Sequence, residues 1–174
     1  MEYELRITMK REVFETLEDR ALLEACIEPT IRQIRGKGLR LKREVYAGLT
    51  PGQQALLMFQ VLYGHAHSEP EYYWFVSHYI SLGVWSEVKA GMRYFGDEAM
   101  LRIYEETEAA VEAKNRQPDG GWRHFAVMDL DGDAELAASV ARLFARYHQA
   151  APETIRRIGE RIRSIPGEFA ALEG

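Results

Sequence analysis

Apolar residues recur at spacings of three and four along most of the chain, and this helical period constrains the fold more than any other feature. From Glu12 to Ile34 charged residues separate such apolar positions, which predicts one or two amphipathic helices. Pro29 is expected to bend or restart this segment, because an interior proline loses a hydrogen bond and clashes with the preceding turn. Gly36 and Gly38 are expected to end it.

Helix start signals divide the rest of the chain. Thr50 as N-cap before Pro51 predicts a central, buried helix over residues 51–63. The capping-box pattern at Ser68–Glu71 predicts an aromatic helix that covers residues 72–82. Further helices are expected after a capping residue or a proline: 87–95 after Ser86, 98–114 after Asp97, 134–149 after Asp133, and a last helix that starts at Pro152.

These segments predict an all-α fold, a multi-helix bundle of about seven helices in one domain that spans residues 1–174. Alternation over Glu2–Thr8 indicates a short N-terminal strand. The glycine- and proline-containing stretch 115–133 is expected to be the longest loop, with Trp122 and Phe125 packed against the body.

Composition narrows the class of protein. Cys26 is the only cysteine, so no intrachain disulfide can form, and its place on an apolar helical face predicts a buried, inert thiol. The charged N-terminus does not resemble a secretory signal, and no stretch is apolar enough to span a membrane, which predicts a cytoplasmic protein. A net charge of −5 argues against direct binding of nucleic acid.

Two clusters of polar residues are candidate metal sites. His65 and His67 lie near carboxylates, but two residues that are two positions apart cannot lie on the same face of a helix. The alternative to a metal site is a polar turn between helices. The run Asp129–Asp133 resembles the opening of a calcium loop, yet Ala134 and Val140 stand where a glycine and a glutamate are required. Loop carboxylates followed by an N-cap are therefore expected, with no metal and no cofactor.

Charge is unevenly distributed along the chain. The acidic region, residues 87–135, holds twelve acidic against six basic residues, a local charge of −6. Its side chains form either a solvated face or a surface that attracts a basic protein. The candidate partner-binding residues are Glu105, Glu106, Glu108, Glu112, Asp129 and Asp131.

Basic and aromatic residues form two further clusters. Six cations between Arg32 and Arg43 could bind phosphate, but without interleaved aromatics a solvated inter-helix segment is expected. The densest aromatic cluster is expected to contribute mainly to the core, while its exposed members permit a homodimer. It comprises Tyr72, Tyr73, Trp74, Phe75, Tyr79 and Trp85.

Several segments resemble a family of bacterial domains of unknown function that includes a DNA-mimic protein. They are Leu49–Gln54 (LTPGQQ), the aromatic helix around Tyr73–Tyr79, the Gly83 break, Tyr94–Gly96, and Pro166–Phe169 (PGEF). Where members typically carry an asparagine and paired glycines, this chain has Ser68–Glu71. The resemblance implies an all-helical fold without a cofactor and, in the characterised case, acidic side chains that imitate DNA phosphates.

The leading hypothesis is a non-enzymatic helical protein-interaction domain that presents the acidic region to a basic or DNA-binding protein. No catalytic residue is predicted, because the chain has neither a Gly-x-Ser-x-Gly elbow nor a glycine-rich phosphate loop. The alternatives are a metal-binding protein or enzyme that uses His65 and His67, and an immunity-type protein that neutralises a toxin.

Overall fold

The structure is a computed structural model that describes residues 7–174. Within this range the chain forms nine α-helices and two short strands. In chain order these are β1 Thr8–Lys10, α1 Arg11–Thr16, α2 Asp19–Ile34, α3 Leu39–Ala47, α4 Pro51–Tyr63, α5 Glu69–Ser81, α6 Trp85–Phe95, α7 Glu98–Asn115, α8 Asp129–Gly132, α9 Ala134–Ser164 and β2 Ala171–Glu173. The predicted all-α, multi-helix class is confirmed, and the expected strand over 2–8 lies outside the described residues except for Ile7 and Thr8.

Helix α4 lies at the centre of the bundle, as predicted. The Thr50 hydroxyl accepts from the Gln53 amide at 3.1 Å, and the Gln53 side chain accepts from the Thr50 amide at 3.1 Å, which completes a capping box. Most α4 residues are buried between α2 and α6. Gly91 of α6 permits this close packing, since a Cβ there would lie 3.1 Å from the Ala55 carbonyl oxygen.

Two prolines lie inside continuous helices, although Pro29 was expected to bend or restart its helix and Pro152 to begin a new one. Pro29 lies inside α2, and Pro152 lies inside α9, which is continuous over 31 residues. Both prolines are exposed, so the carbonyl that each leaves without a helical donor can be hydrated. The buried stripe of α9 continues past Pro152 through Thr154 and Ile155, and this packing stabilises one helix where the sequence predicted two.

Three other helix boundaries differ from prediction. The basic segment after Arg32 is not a plain connection, because it includes α3, a helix with no buried residue. Helix α6 begins at Trp85 with Val84 as N-cap, so Ser86 is not a cap. Helix α5 begins directly after Ser68, whose hydroxyl accepts from the Glu71 amide at 3.4 Å. The predicted capping box is incomplete, because the Glu71 carboxylate accepts from the His67 amide and not from the Ser68 amide.

The C-terminal turn, Pro166–Phe169, packs against the start of α4. The Glu168 carboxylate accepts from the Gly52 amide at 2.9 Å, and the Glu168 carbonyl accepts from the Thr50 hydroxyl at 2.7 Å. The Phe169 side chain is fully buried. A carboxylate at a helix N-terminus is stabilised by the exposed amides and the helix dipole. Beyond this turn, β2 pairs with β1 in parallel, with Thr8 opposite Ala171.

The buried apolar side chains form one contiguous core with residues from every α-helix of the described chain except α3 and α8, together with Phe169. Among residues 7–174, no helix combines the length and the apolar character needed to cross a membrane.

The close fit at Gly52 gives a first prediction. A Cβ at this position would lie 2.6 Å from the Glu168 side chain and 2.7 Å from Phe169, so we expect Gly52→Ala to lower the free energy of unfolding by about 1–3 kcal/mol. Urea denaturation followed by circular dichroism measures this loss. Gly167→Ala is the matched control, because nothing lies within 4 Å of its Cβ position; equal stability of the two variants would contradict the packing described here.

Candidate functional site

The four predicted partner-binding carboxylates on α7 all form ion pairs with the protein's own cations. Toward α6, Glu108 lies 2.6 Å from the Lys89 ammonium and Glu105 lies 3.8 Å from the Arg93 guanidinium. Because these pairs bridge two helices, they contribute to the docking of α7 as well as to surface charge. The acidic count of the sequence therefore overstates the negative charge that a partner would meet on this side.

The opposite side of α7 shows the same arrangement. Glu106 accepts a bidentate hydrogen bond from Arg146 of α9 and lies 3.7 Å from Arg142. Hydrogen bonding to Arg146 holds the pKa of the Glu106 carboxyl below its ordinary value. At the C-terminal end of α7, Glu112 forms an ion pair with Arg116 at 2.7 Å. All four predicted α7 carboxylates are thus in ion pairs.

Asp129 is the centre of a polar network that the sequence analysis missed. Its Oδ2 atom accepts from the Tyr73 hydroxyl at 2.6 Å, from Arg123 at 3.1 Å and from the Ala126 amide at 3.1 Å. The Asn115 side chain extends the network, since its Nδ2 atom donates to the Tyr73 hydroxyl at 3.1 Å and its Oδ1 atom accepts from the Arg123 Nε atom at 3.1 Å. These contacts join the loop after α7 to α5 and α7.

The network changes the ionisation of its members. Burial raises the pKa of Asp129, but the Tyr73 hydroxyl, the Ala126 amide and the Arg123 charge together hold it below its ordinary value. Burial and the hydrogen bond to Asp129 raise the pKa of Tyr73 to about 12. At neutral pH the pair is therefore a carboxylate bound to a neutral phenol, which is the combination that holds the loop in place.

Next to this network the protein exposes apolar side chains beside carboxylates that form no ion pair within the described residues. Met128 is 69% exposed and Val127 is 46% exposed. Asp131 and Glu135 form no ion pair with any other residue of 7–174. We call these four residues the α8 surface. Of the six predicted partner-binding carboxylates, only Asp131 belongs to it.

The aromatic cluster is divided between core and surface. Tyr72, Tyr73 and Trp85 are buried. Trp74, Phe75, His78 and Tyr79 are half-buried and form a continuous row on α5, which we call the aromatic strip. Trp74 stacks on His78 with ring centroids 4.8 Å apart, and it reaches Phe125 at 5.9 Å. The strip therefore extends to the loop that carries the α8 surface.

The packing of the long loop follows the sequence prediction in part. Trp122 and Phe125 are half-buried against the core, as expected, and the Arg116 guanidinium lies 5.0 Å from the Trp122 ring centroid. Asp133 accepts from the Leu136 amide at 3.0 Å and caps α9, as predicted. Asp129 was expected to be a loop carboxylate, but it begins α8 and accepts hydrogen bonds from Tyr73, Arg123 and Ala126.

His65 and His67 are not brought together as metal ligands. The His65 ring stacks on Phe75 at 4.6 Å, and the His67 Nε2 atom bonds with the Gly64 carbonyl at 2.8 Å. Within the described chain no three His, Cys, Asp or Glu side chains are arranged to hold a metal ion. His67 lines an open groove of about 570 Å³ together with Glu69, Phe144 and His148, at the junction of α5 and α9.

Cys26 is fully buried, and burial raises the pKa of its thiol to about 12. At neutral pH it is a protonated thiol in an apolar setting, which is unreactive as a nucleophile. This agrees with the sequence prediction for Cys26.

Removal of the Asp129 charge gives a second prediction. We expect Asp129→Asn to lower the free energy of unfolding by about 1–2 kcal/mol at neutral pH, because three donors lose their charged acceptor. A carboxyl whose pKa is lowered on folding stabilises the protein above its unfolded pKa of about 3.8, and this contribution is lost as the pH falls through the lower folded value. The difference in free energy of unfolding between variant and wild type should therefore shrink as the pH falls below this folded-state pKa, which urea titrations at several pH values measure.

Asp131→Asn is the matched control. A loss of stability in Asp129→Asn that persists at low pH would contradict the role assigned to the Asp129 charge.

Comparison of the chain with known protein families, curated proteins and solved structures gave no match. The resemblance to the family that includes a DNA-mimic protein therefore remains a prediction from the sequence alone.

Proposed function

We propose that this chain is a non-enzymatic helical protein-interaction domain that binds a basic protein partner through the α8 surface. The observation that carries the proposal is the position of Met128, 69% exposed, beside a carboxylate, Asp131, that no described cation neutralises. Exposed methionine adapts to irregular apolar partners, and a neighbouring carboxylate selects a positive charge.

The Asp129 network supports this choice of surface. Since Tyr73, Ala126 and Arg123 fix the loop immediately before α8, Val127 and Met128 are held in place before a partner arrives. A preorganised loop loses little conformational entropy on binding, so more of the contact energy contributes to affinity. The half-buried Trp74 and Phe125 adjoin the same loop and would extend the contact area.

The paired carboxylates of α7 have a secondary role in this proposal. A partner that bound Glu105, Glu106, Glu108 or Glu112 directly would have to displace an existing cation from each. Such displacement yields less than pairing with an unsatisfied carboxylate. DNA mimicry by the whole acidic region is therefore less favoured than local recognition by the α8 surface, and the partner can be a DNA-binding protein or a basic toxin.

Charge reversal on and off the α8 surface tests the proposal. Immobilised wild type is compared with Asp131→Lys, with Met128→Ser and with the matched control Glu105→Lys in nuclease-treated lysate. We expect at least one basic protein to be retained by wild type and by the control, and to be lost from the two α8 variants. With that protein purified, calorimetry should show at least about tenfold weaker binding to Asp131→Lys.

Two results would contradict the proposal. The first is a partner that is lost from Glu105→Lys and kept by Asp131→Lys, which would place the site on α7. The second is the absence of any protein whose retention depends on Asp131 or Met128.

A further inference from the structure

Three buried donors at the junction of α6, α7 and α9 form no hydrogen bond with any described residue. They are the indole Nε1 of Trp85 and the hydroxyls of Tyr104 and Tyr147. The ring centroids of Trp85 and Tyr104 lie 5.3 Å apart, and those of Tyr104 and Tyr147 lie 6.4 Å apart. Because buried polar groups are nearly always hydrogen-bonded, these donors indicate that the junction holds an acceptor.

Burial fixes the two phenols as donors. It raises the pKa of Tyr104 and Tyr147 well above the ordinary value for tyrosine, so both side chains keep their protons at neutral pH. The indole nitrogen of Trp85 can only donate. What these three side chains lack is therefore an acceptor, not a further donor.

A buried carboxylate with spare capacity to accept lies on the same helices. Asp97 is 4% exposed; its Oδ1 atom accepts from the Met100 amide at 3.0 Å, and its Oδ2 atom accepts from the Thr154 hydroxyl at 2.6 Å. These are the only hydrogen bonds of its side chain within residues 7–174, and a carboxylate can accept about four. Since Asp97 forms no ion pair in this range, its burial requires further donors.

The seam between α7 and α9 brings the donors and the carboxylate together. Asp97 contacts Thr154, and the Tyr104 ring contacts the Tyr147 ring, so the two helices run antiparallel and the two contacts lie seven residues apart on each. Seven residues are two helical turns, about 10 Å, and return to the same helix face. Long helical side chains lean toward the N-terminus of their helix, which directs the Tyr104 hydroxyl back toward Asp97.

We propose that ordered internal water binds in this seam, accepts a hydrogen bond from the Tyr104 hydroxyl and donates one to the Asp97 carboxylate. Water is small enough for a packed core, and it both accepts and donates, as a link between a phenol and a carboxylate requires. Globular proteins contain about one buried water per 27 residues, with about two to four polar partners each. The Trp85 Nε1 atom is a third partner at the same junction.

The water site links the docking of three helices to one polar centre. Helix α6 contributes Trp85, α7 contributes Asp97 and Tyr104, and α9 contributes Thr154. Asp97 also caps α7, so the same carboxylate sets where α7 begins and how α9 packs on it. The site lies in the core and uses no residue of the α8 surface, so it does not rest on the proposed function.

Removal of one hydroxyl gives the first test. Tyr104→Phe keeps the ring and removes the donor, which leaves both the water and Asp97 with one partner fewer. We expect the equilibrium constant for unfolding, measured by urea denaturation, to rise about tenfold. Loss of an unpaired hydroxyl from a dry core would instead stabilise the protein. Tyr72→Phe is the matched reference, because the Tyr72 hydroxyl is bonded directly to the Thr107 hydroxyl at 2.8 Å and its removal should cost a similar factor.

A double-mutant cycle tests the link between the two ends of the site. Asp97→Asn keeps a side chain that caps helices well and removes the charge of the acceptor. In Asp97→Asn with Tyr104→Phe, the loss of stability should be smaller than the sum of the single losses, because each substitution already breaks the same water-mediated link. Asp97→Asn with Tyr72→Phe is the control pair, and its losses should add.

A high-resolution crystal structure provides the direct observation. We expect a water oxygen within hydrogen-bond distance of both the Tyr104 Oη atom and the Asp97 carboxylate in wild type, and its loss or displacement in Tyr104→Phe. The proposal is overturned by a dry seam, by a Tyr104→Phe variant at least as stable as wild type, or by additive losses in the double variant. The first two results require no folded Asp97 variant, and none of the three concerns partner binding by the α8 surface.

Discussion

The contact between the C-terminal turn and the start of α4 is the interaction on which the arrangement of the bundle depends. The Glu168 carboxylate accepts from the Gly52 amide, which lies 116 residues earlier in the sequence, and Phe169 is buried beside Glu168. Helix α4 packs on α2 and α6, and α9 packs on α2 and α7. The turn follows directly after α9, so this contact joins the end of α9 to the start of α4. The LTPGQQ and PGEF segments of the family resemblance meet here, so both have a structural role.

The charges of the chain divide into those that hold helices together and those that remain exposed without a partner. The α7 carboxylates join α6 and α9 through Lys89, Arg93 and Arg146. Asp131 and Lys42 have no such partner among residues 7–174. Exposed ion pairs add little to the stability of the fold, but the two charges of each pair neutralise each other. The surface that we propose for recognition therefore uses carboxylates outside these pairs, and such carboxylates are fewer than the number of acidic residues in the sequence suggests.

Helix starts were predicted well where the signal is local. Thr50, Ser68, Asp97 and Asp133 each accept from a backbone amide three residues ahead, and this requires only the residues of one turn. Helix continuity was predicted poorly. Pro152 was expected to begin a helix, but burial of the α9 stripe on both sides of it outweighs one lost hydrogen bond, and such burial depends on the other helices.

By itself the sequence determined the all-α class, the capped helix starts and the unreactive environment of Cys26, because periodicity, capping and apolar patterning act over a few residues. Only the tertiary structure decided which carboxylates are neutralised, how Asp129 joins Tyr73 and Arg123, and which apolar side chains stay exposed at Val127 and Met128. These properties depend on distances between side chains on different helices, and no spacing along the chain specifies them. The surface proposed for recognition lies within the acidic region predicted from the sequence, residues 87–135, but its residues were identified only from the fold.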